Sequence, residues 1–161
     1  YTTLLQNIVP IDFELQYLRI DPYAYSHRIK KNNYTNFGAS LGAPIQPNSS
    51  TIALKFTYTP HYRFWIDLLF RYTVHGQNVL SDSGELINNG GDIETGFSSS
   101  DLPDAKFLSG PKEFTRFFNV SFSYQTIKNY FIKGGMNFLS NVNLSGSSSY
   151  YEIYAGIDLR I

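Results

Sequence analysis

The stretch "YRFWIDLLFRYTVHG", residues 62–76, decides the fold. Phe64, Ile66, Leu68, Phe70, Tyr72 and Val74 share one parity, and Arg63, Trp65, Asp67, Leu69, Arg71, Thr73 and His75 share the other. A period of two belongs to a strand whose faces meet different surroundings. The run is also far longer than the roughly 5–6 residues of an ordinary soluble strand. Elsewhere the same pattern recurs. Ile52, Leu54, Phe56 and Tyr58 alternate with Ala53, Lys55 and Thr57. Phe118, Val120, Phe122 and Tyr124 alternate with Asn119, Ser121, Ser123 and Gln125. Tyr130, Ile132, Gly134, Met136 and Phe138 form a further face. The terminal "YYEIYAGIDLRI" repeats the pattern, with Tyr151, Ile153, Ala155, Ile157, Leu159 and Ile161 on one side. "DFELQYLRID", residues 12–21, reads as a strand of ambiguous frame, and Pro22 marks its end or a bulge. No segment carries a helical period.

Composition narrows the choices. Lys and Arg total 13 and Asp and Glu total 13, which leaves no basic face for nucleic acid. Cysteine is absent, so disulfide scaffolds and thiolate metal sites are excluded. No apolar run is long enough for a transmembrane helix. A transmembrane barrel, by contrast, hides its lipid face in alternate residues. Tyr and Phe number 13 each, against a single Trp.

The connections alternate in length. Residues 9–11, 60–61 and 126–128 read as short turns. Residues 27–50, 76–113 and 140–149 read as long loops rich in Gly, Ser and Asn. Outer-membrane barrels have short periplasmic turns and long external loops. Tyr58, Tyr62, Tyr124 and Tyr130 lie near the short turns, and Tyr72, Phe118, Phe138 and Tyr151 near the other strand ends, as two interfacial girdles would. A soluble sandwich explains neither asymmetry nor banding. The expected fold is therefore an all-β antiparallel transmembrane β-barrel. Residues 1–161 form one barrel region of about seven strands, counting 2–8 as a weak first one. Single-chain barrels have even strand numbers, so seven implies the C-terminal portion of a larger barrel, with upstream strands as partners. The apolar faces are expected to meet outer-membrane lipid.

Few residues offer chemistry. His27, His61 and His75 lack metal-ligand spacing, and no G-x-S-x-G occurs, so neither a metal, a cofactor nor catalysis is expected. A charged row of Lys55, Arg63, Asp67, Arg71, Lys133, Glu152, Asp158 and Arg160 reads as a cross-strand ladder on a polar face. The first long loop is basic through Arg28, Lys30 and Lys31. Residues 82–104 carry Asp82, Glu85, Asp92, Glu94, Asp101 and Asp104 with no Lys or Arg. Facing loops of opposite sign could close over the mouth, and the acidic one lacks a calcium-loop spacing.

Tyr25-Ser26-His27, then Asn33 to Gly38, then Leu41 through Ser49 and the later Arg71 with His75-Gly76, form a motif series. In these, residues 17–78 resemble the Wzi-type capsule-assembly outer-membrane proteins, with their Y-[ST]-H, N/T-Y-T-x-x-G, L-G-x-P-x-x-P-N-S and R-x-x-x-H-G segments. Ala43 and the acidic loop depart from that pattern. The resemblance implies a non-enzymatic, lectin-like protein of the cell outer membrane that holds capsular or exopolysaccharide. A channel for small polar solutes is the alternative. Tyr25, His27, Tyr34, Asn48, Arg71 and His75 are the expected polysaccharide-binding residues, since rings stack on sugar faces and polar tips bond hydroxyls. In a competing reading, Tyr34, Gly38 and Gly42 fold the loop inward and His75 bonds its backbone.

Overall fold

A computed structural model describes residues 10–36, 39–98, 101 and 105–159, with the side chains of Lys30 and Ala39 left aside. The strands are β1 (Ile11–Ile20), β2 (Thr35–Asn36), β3 (Ala39–Ser40), β4 (Ser49–His61), β5 (Phe64–Gly76), β6 (Val79–Leu80), β7 (Leu86–Ile87), β8 (Lys112–Ile127), β9 (Tyr130–Asn143) and β10 (Gly146–Leu159). One antiparallel sheet runs β1-β4-β5-β8-β9-β10, with β2-β3 and β6-β7 as two-residue ladders in the loops. The fold is all-β, and its only described helix is a 3-10 turn at Lys30–Asn32. The expected strand at 2–8 and Arg160 lie outside the described residues.

Register decides the rest. Phe13, Phe56, Leu68, Val120, Met136 and Ile153 line up across all six strands, as do Leu15, Leu54, Phe70, Phe118, Phe138 and Tyr151. The opposite face aligns Glu14, Lys55, Leu69, Asn119, Asn137 and Glu152. A one-residue slip would exchange the faces, so the pairing keeps them separate. Yet the apolar face is open, with Leu68 and Phe70 about two-fifths exposed and Ile153 78 % exposed. Among the described residues, only Ile20, Ile93 and Phe131 are buried hydrophobics. The apolar band also slants. The row Tyr17–Ile52–Tyr72 continues as Arg116–Ser140–Ser149, while lower down Phe64, Tyr124, Ile132 and Ile157 stay apolar. Rows lie perpendicular to strands, so the edge of the apolar band crosses the strands obliquely.

Connections differ in part from expectation. Tyr62–Arg63 and Lys128–Asn129 are tight turns at one end, with Asn129 in the left-handed region at φ 68°. The long loops 21–48 and 77–111 sit at the other end. The expected loop at 140–149 is corrected: β9 and β10 run through it and only Leu144–Ser145 turn. Its Ser and Asn content reads as loop, but Ser140, Asn141, Ser148 and Ser149 pair in register. Of the charged row, Lys133 bonds Asp158 at 2.5 Å and Lys55 lies 4.0 Å from Asp67, whereas Arg63 falls in a turn.

Gly134 and Gly135, side by side in β9, are beds for two aromatic rings on opposite faces. A Cβ on Gly134 would lie 2.8 Å from the Phe122 ring, and one on Gly135 2.6 Å from the Tyr154 hydroxyl. Glycine inside a strand marks such close approach. Gly134→Val should cost about 1–3 kcal/mol by overpacking. Thermal melting in detergent should show most of that cost vanishing in a Phe122→Ala background. Gly135→Val should stay costly in Tyr154→Ala, because its Cβ also meets the Val120 carbonyl.

Candidate binding site at the loop-bearing end

Burial concentrates where the loops meet the strand ends. Asn48 is fully buried with φ 55°, a left-handed conformation that Asn tolerates. Its Nδ2 donates to the carbonyls of Gly76 and Ser109, each at 3.0 Å, and its Oδ1 accepts from Leu108 N at 2.6 Å. Gly76 has no room for a side chain, since a Cβ would meet Asn48 and the Ser109 carbonyl. The amide therefore ties the start of β4, the end of β5 and the far end of loop 77–111 together. It is spent on structure and offers nothing to a ligand.

Other asparagines do similar work. Asn33 accepts from His27 N at 2.6 Å and donates to Ile93 O at 2.5 Å. Asn78 Oδ1 takes the amides of Asn89 and Gly91. The Tyr23 hydroxyl donates to Asn88 O at 2.7 Å, and its amide donates to Gly90 O. Burial and then the Asp101 carboxylate raise the Tyr23 phenol above its ordinary pKa, so it stays a donor. The two long loops thus join through neutral hydrogen bonds. The expected attraction between their opposite charges contributes no ion pair among the described residues. Asp92 and Asp101 instead bond within the acidic loop, to Glu94 N and Thr95 Oγ1 and to Ser98 N and Asn88.

Arg71 and His75 face one cavity. With Pro44, Gln46, Thr73 and Glu113 they line its volume of about 240 Å³ on the polar face. The Arg71 guanidinium lies 5.1 Å from the Phe117 ring centre. His75 Nδ1 is 3.2 Å from Glu113 Oε2, and its Nε2 is 2.7 Å from Gly91 O. Both neighbours are acceptors, so the ring satisfies both only with a proton on each nitrogen. His75 does bond loop backbone, but in the second long loop rather than the first. Glu113 also takes Gln77 and Asn141. Burial alone would raise its pKa, but these bonds from Asn141, His75 and Gln77, with the His75 charge, outweigh burial and lower it.

The tyrosines gather separately. Tyr25 and Tyr34 stack with ring centres 5.7 Å apart, and Gly42 sits against the Tyr25 ring. Tyr34 leaves half its surface open. Tyr25 itself is held at φ 67°, a conformation that costs energy for a bulky residue. His27 is exposed, its Nδ1 accepting from Ile29 N at 3.0 Å. So the six expected residues divide into a ring platform (Tyr25, Tyr34), a cavity wall (Arg71, His75), an exposed side chain (His27) and a buried staple (Asn48). Glu113, Gln46 and Thr73 were not foreseen. His75 faces Glu113 in register, but that pairing is hidden by the 35-odd residues between the strands.

The chain matches no family model, no curated protein and no solved structure. Fold and site together define an all-β antiparallel sheet with a loop-built polar surface at one end.

Asn48→Ala should leave buried carbonyls unpaired at about 1–3 kcal/mol each. Protease nicking within 77–111 should rise while the strand signal in circular dichroism persists. Asn48→Gly keeps the left-handed backbone and should be nicked as readily. Because the Glu113 pKa is lowered on folding, its contribution is complete above the unfolded carboxyl range near about 4.3 and is lost as pH falls through the folded value. Loop protection should therefore decline only in acid, and Glu113→Gln should weaken that acid dependence.

Proposed function

We propose that this chain is part of the wall of an outer-membrane β-barrel that holds capsular or exopolysaccharide at its loop-bearing end, without catalysis. The observation that carries the membrane reading is the register: six strands align one continuous apolar face that no part of the described chain covers. On β5 that face runs from Phe64 to Val74, and on β8 from Phe118 to Tyr124, with Arg116 beyond its upper end on the same side. Eleven residues tilted near 45° cross a bilayer core. Exposure of this much apolar surface to water would drive association. Lipid removes the need for a core, and the polar face then lines a lumen. Among the described residues β1 and β10 each have a free edge. In a barrel, further strands close them.

The polysaccharide reading rests on the resemblance of residues 17–78 to the Wzi-type proteins and on the surface those residues build. Tyr34 offers an open ring face, and Arg71 with Gln46 and Thr73 offers hydrogen bonds to hydroxyls. The polar lumen face favours a second reading, a channel for small polar solutes.

Leu68→Arg places a charge in mid-band and should cost about 2–4 kcal/mol of insertion, whereas Leu69→Arg on the polar face should be much milder. Equal damage, read by heat-dependent gel mobility in membranes, would sink the membrane reading. Tyr34→Ala and Arg71→Ala should lower polysaccharide retention on cells with insertion intact. Retention unchanged in both, together with conductance in planar bilayers, would favour the channel.

A further inference from the structure

A second cavity, of about 600 Å³, lies on the polar face toward the short-turn end. It is distant from the loop surface: Asp67 and His75 are eight residues apart on β5, or about 27 Å along the strand. Residues from β4, β5, β8, β9 and β10 line it, so the polar face is concave there. The single Trp of the sequence, Trp65, stands in it rather than on the apolar face. Its ring centre is 6.0 Å from that of Phe131, reached across the intervening strand β8. Around these rings the polar groups are incompletely used. Asp67 Oδ1 accepts from Thr57 Oγ1 at 2.6 Å and faces Lys55 at 4.0 Å, while Oδ2 has no hydrogen bond among the described residues. Ser123 Oγ is buried without a partner among the described residues. Lys133 pairs with Asp158.

We infer that this cavity is a binding site for a neutral saccharide segment, with Trp65 as its stacking platform and Asp67 and Ser123 as hydroxyl partners. A ligand with an apolar ring face and groups that both donate and accept fits rings beside Asp67 and Lys55, and a pyranose has both. Charge does not select the ligand, because Lys55 and Lys133 are balanced by Asp67 and Asp158. The size falls within the range of small-ligand sites, roughly 300–1,000 Å³. The inference rests on the polysaccharide reading only in taking the polar face as a lumen that sugar can enter.

The test uses the full-length protein in detergent, labelled with 5-fluorotryptophan, and follows the fluorine resonance that Trp65→Phe removes. Neutral linear tetrasaccharides of gluco, galacto and manno configuration are titrated to millimolar concentration. At least one should shift that resonance saturably. Asp67→Asn should weaken the binding by roughly tenfold or more. Ser123→Ala, which breaks no existing bond, should weaken it with the fold intact, and Tyr34→Ala should leave it unchanged. No shift with any tetrasaccharide overturns the inference. So does an equal shift with glycine betaine, or affinity unaltered in both Asp67→Asn and Ser123→Ala. Cell-surface retention reads the loop end and Trp65 reads this cavity, so the two proposals can fail separately.

Discussion

The junction of β4, β5 and the returning loop depends on one buried amide. Asn48 reaches Gly76, Ser109 and Leu108, and its backbone carbonyl accepts from Gly76 N at 2.9 Å. Those partners are 28, 61 and 60 residues away in sequence. A neutral side chain suits this place, because a buried carboxylate could not donate to two carbonyls and a buried alkyl group would orphan them. Once the ends of β4 and β5 are fixed to the returning loop, His75 is held in reach of both Glu113 and Gly91. The cavity wall is therefore a consequence of the staple.

The sheet obeys a different constraint. A soluble sheet of this length would bury one face under a second layer. Here the described chain supplies three buried hydrophobics, and Ile20 and Ile93 lie near the loops rather than mid-sheet. Backbone ladders hold the strands to one another, but they do not remove Phe56, Leu68 or Ile153 from solvent. The surroundings must. In the proposed barrel a bilayer would supply that cover, and a slanting apolar band is the shape it would select for a tilted sheet.

The sheet was legible in the sequence because its signal is local. Parity over residues 62–76 assigns each side chain to a face without knowledge of any partner, and the structure keeps those assignments from Phe64 to Gly76, while Tyr62 and Arg63 turn. At 12–21 the adjacent Leu18, Arg19 and Ile20 defeat parity, and only pairing with β4 shows Leu15 and Tyr17 on the apolar side. The loop at 140–149 misled for the opposite reason: its polar residues look like loop composition, yet a two-residue turn and in-register pairing make them strand. At the site, residue types were readable and contacts were not. Tyr34 and Arg71 stand at accessible surfaces, but Asn48 of the same motif is structural. Sequence position cannot separate these roles, because burial of Asn48 depends on Ser109 returning from a distant part of the chain.

The two ends of the polar face are consequently stabilised by independent means. Loops 21–48 and 77–111 are held by asparagine side chains and by the His75–Glu113 contact, none of which involves mid-sheet residues. At the short-turn end, Trp65 meets Phe131 and Lys133 pairs with Asp158 across the paired strands. Sites that share no partners and lie well apart contribute additively. Loop sequence can therefore vary without loosening the sheet, and the sheet can keep its register while the loop surface changes what it recognises. That separation suits the proposed membrane wall with its exposed loop surface.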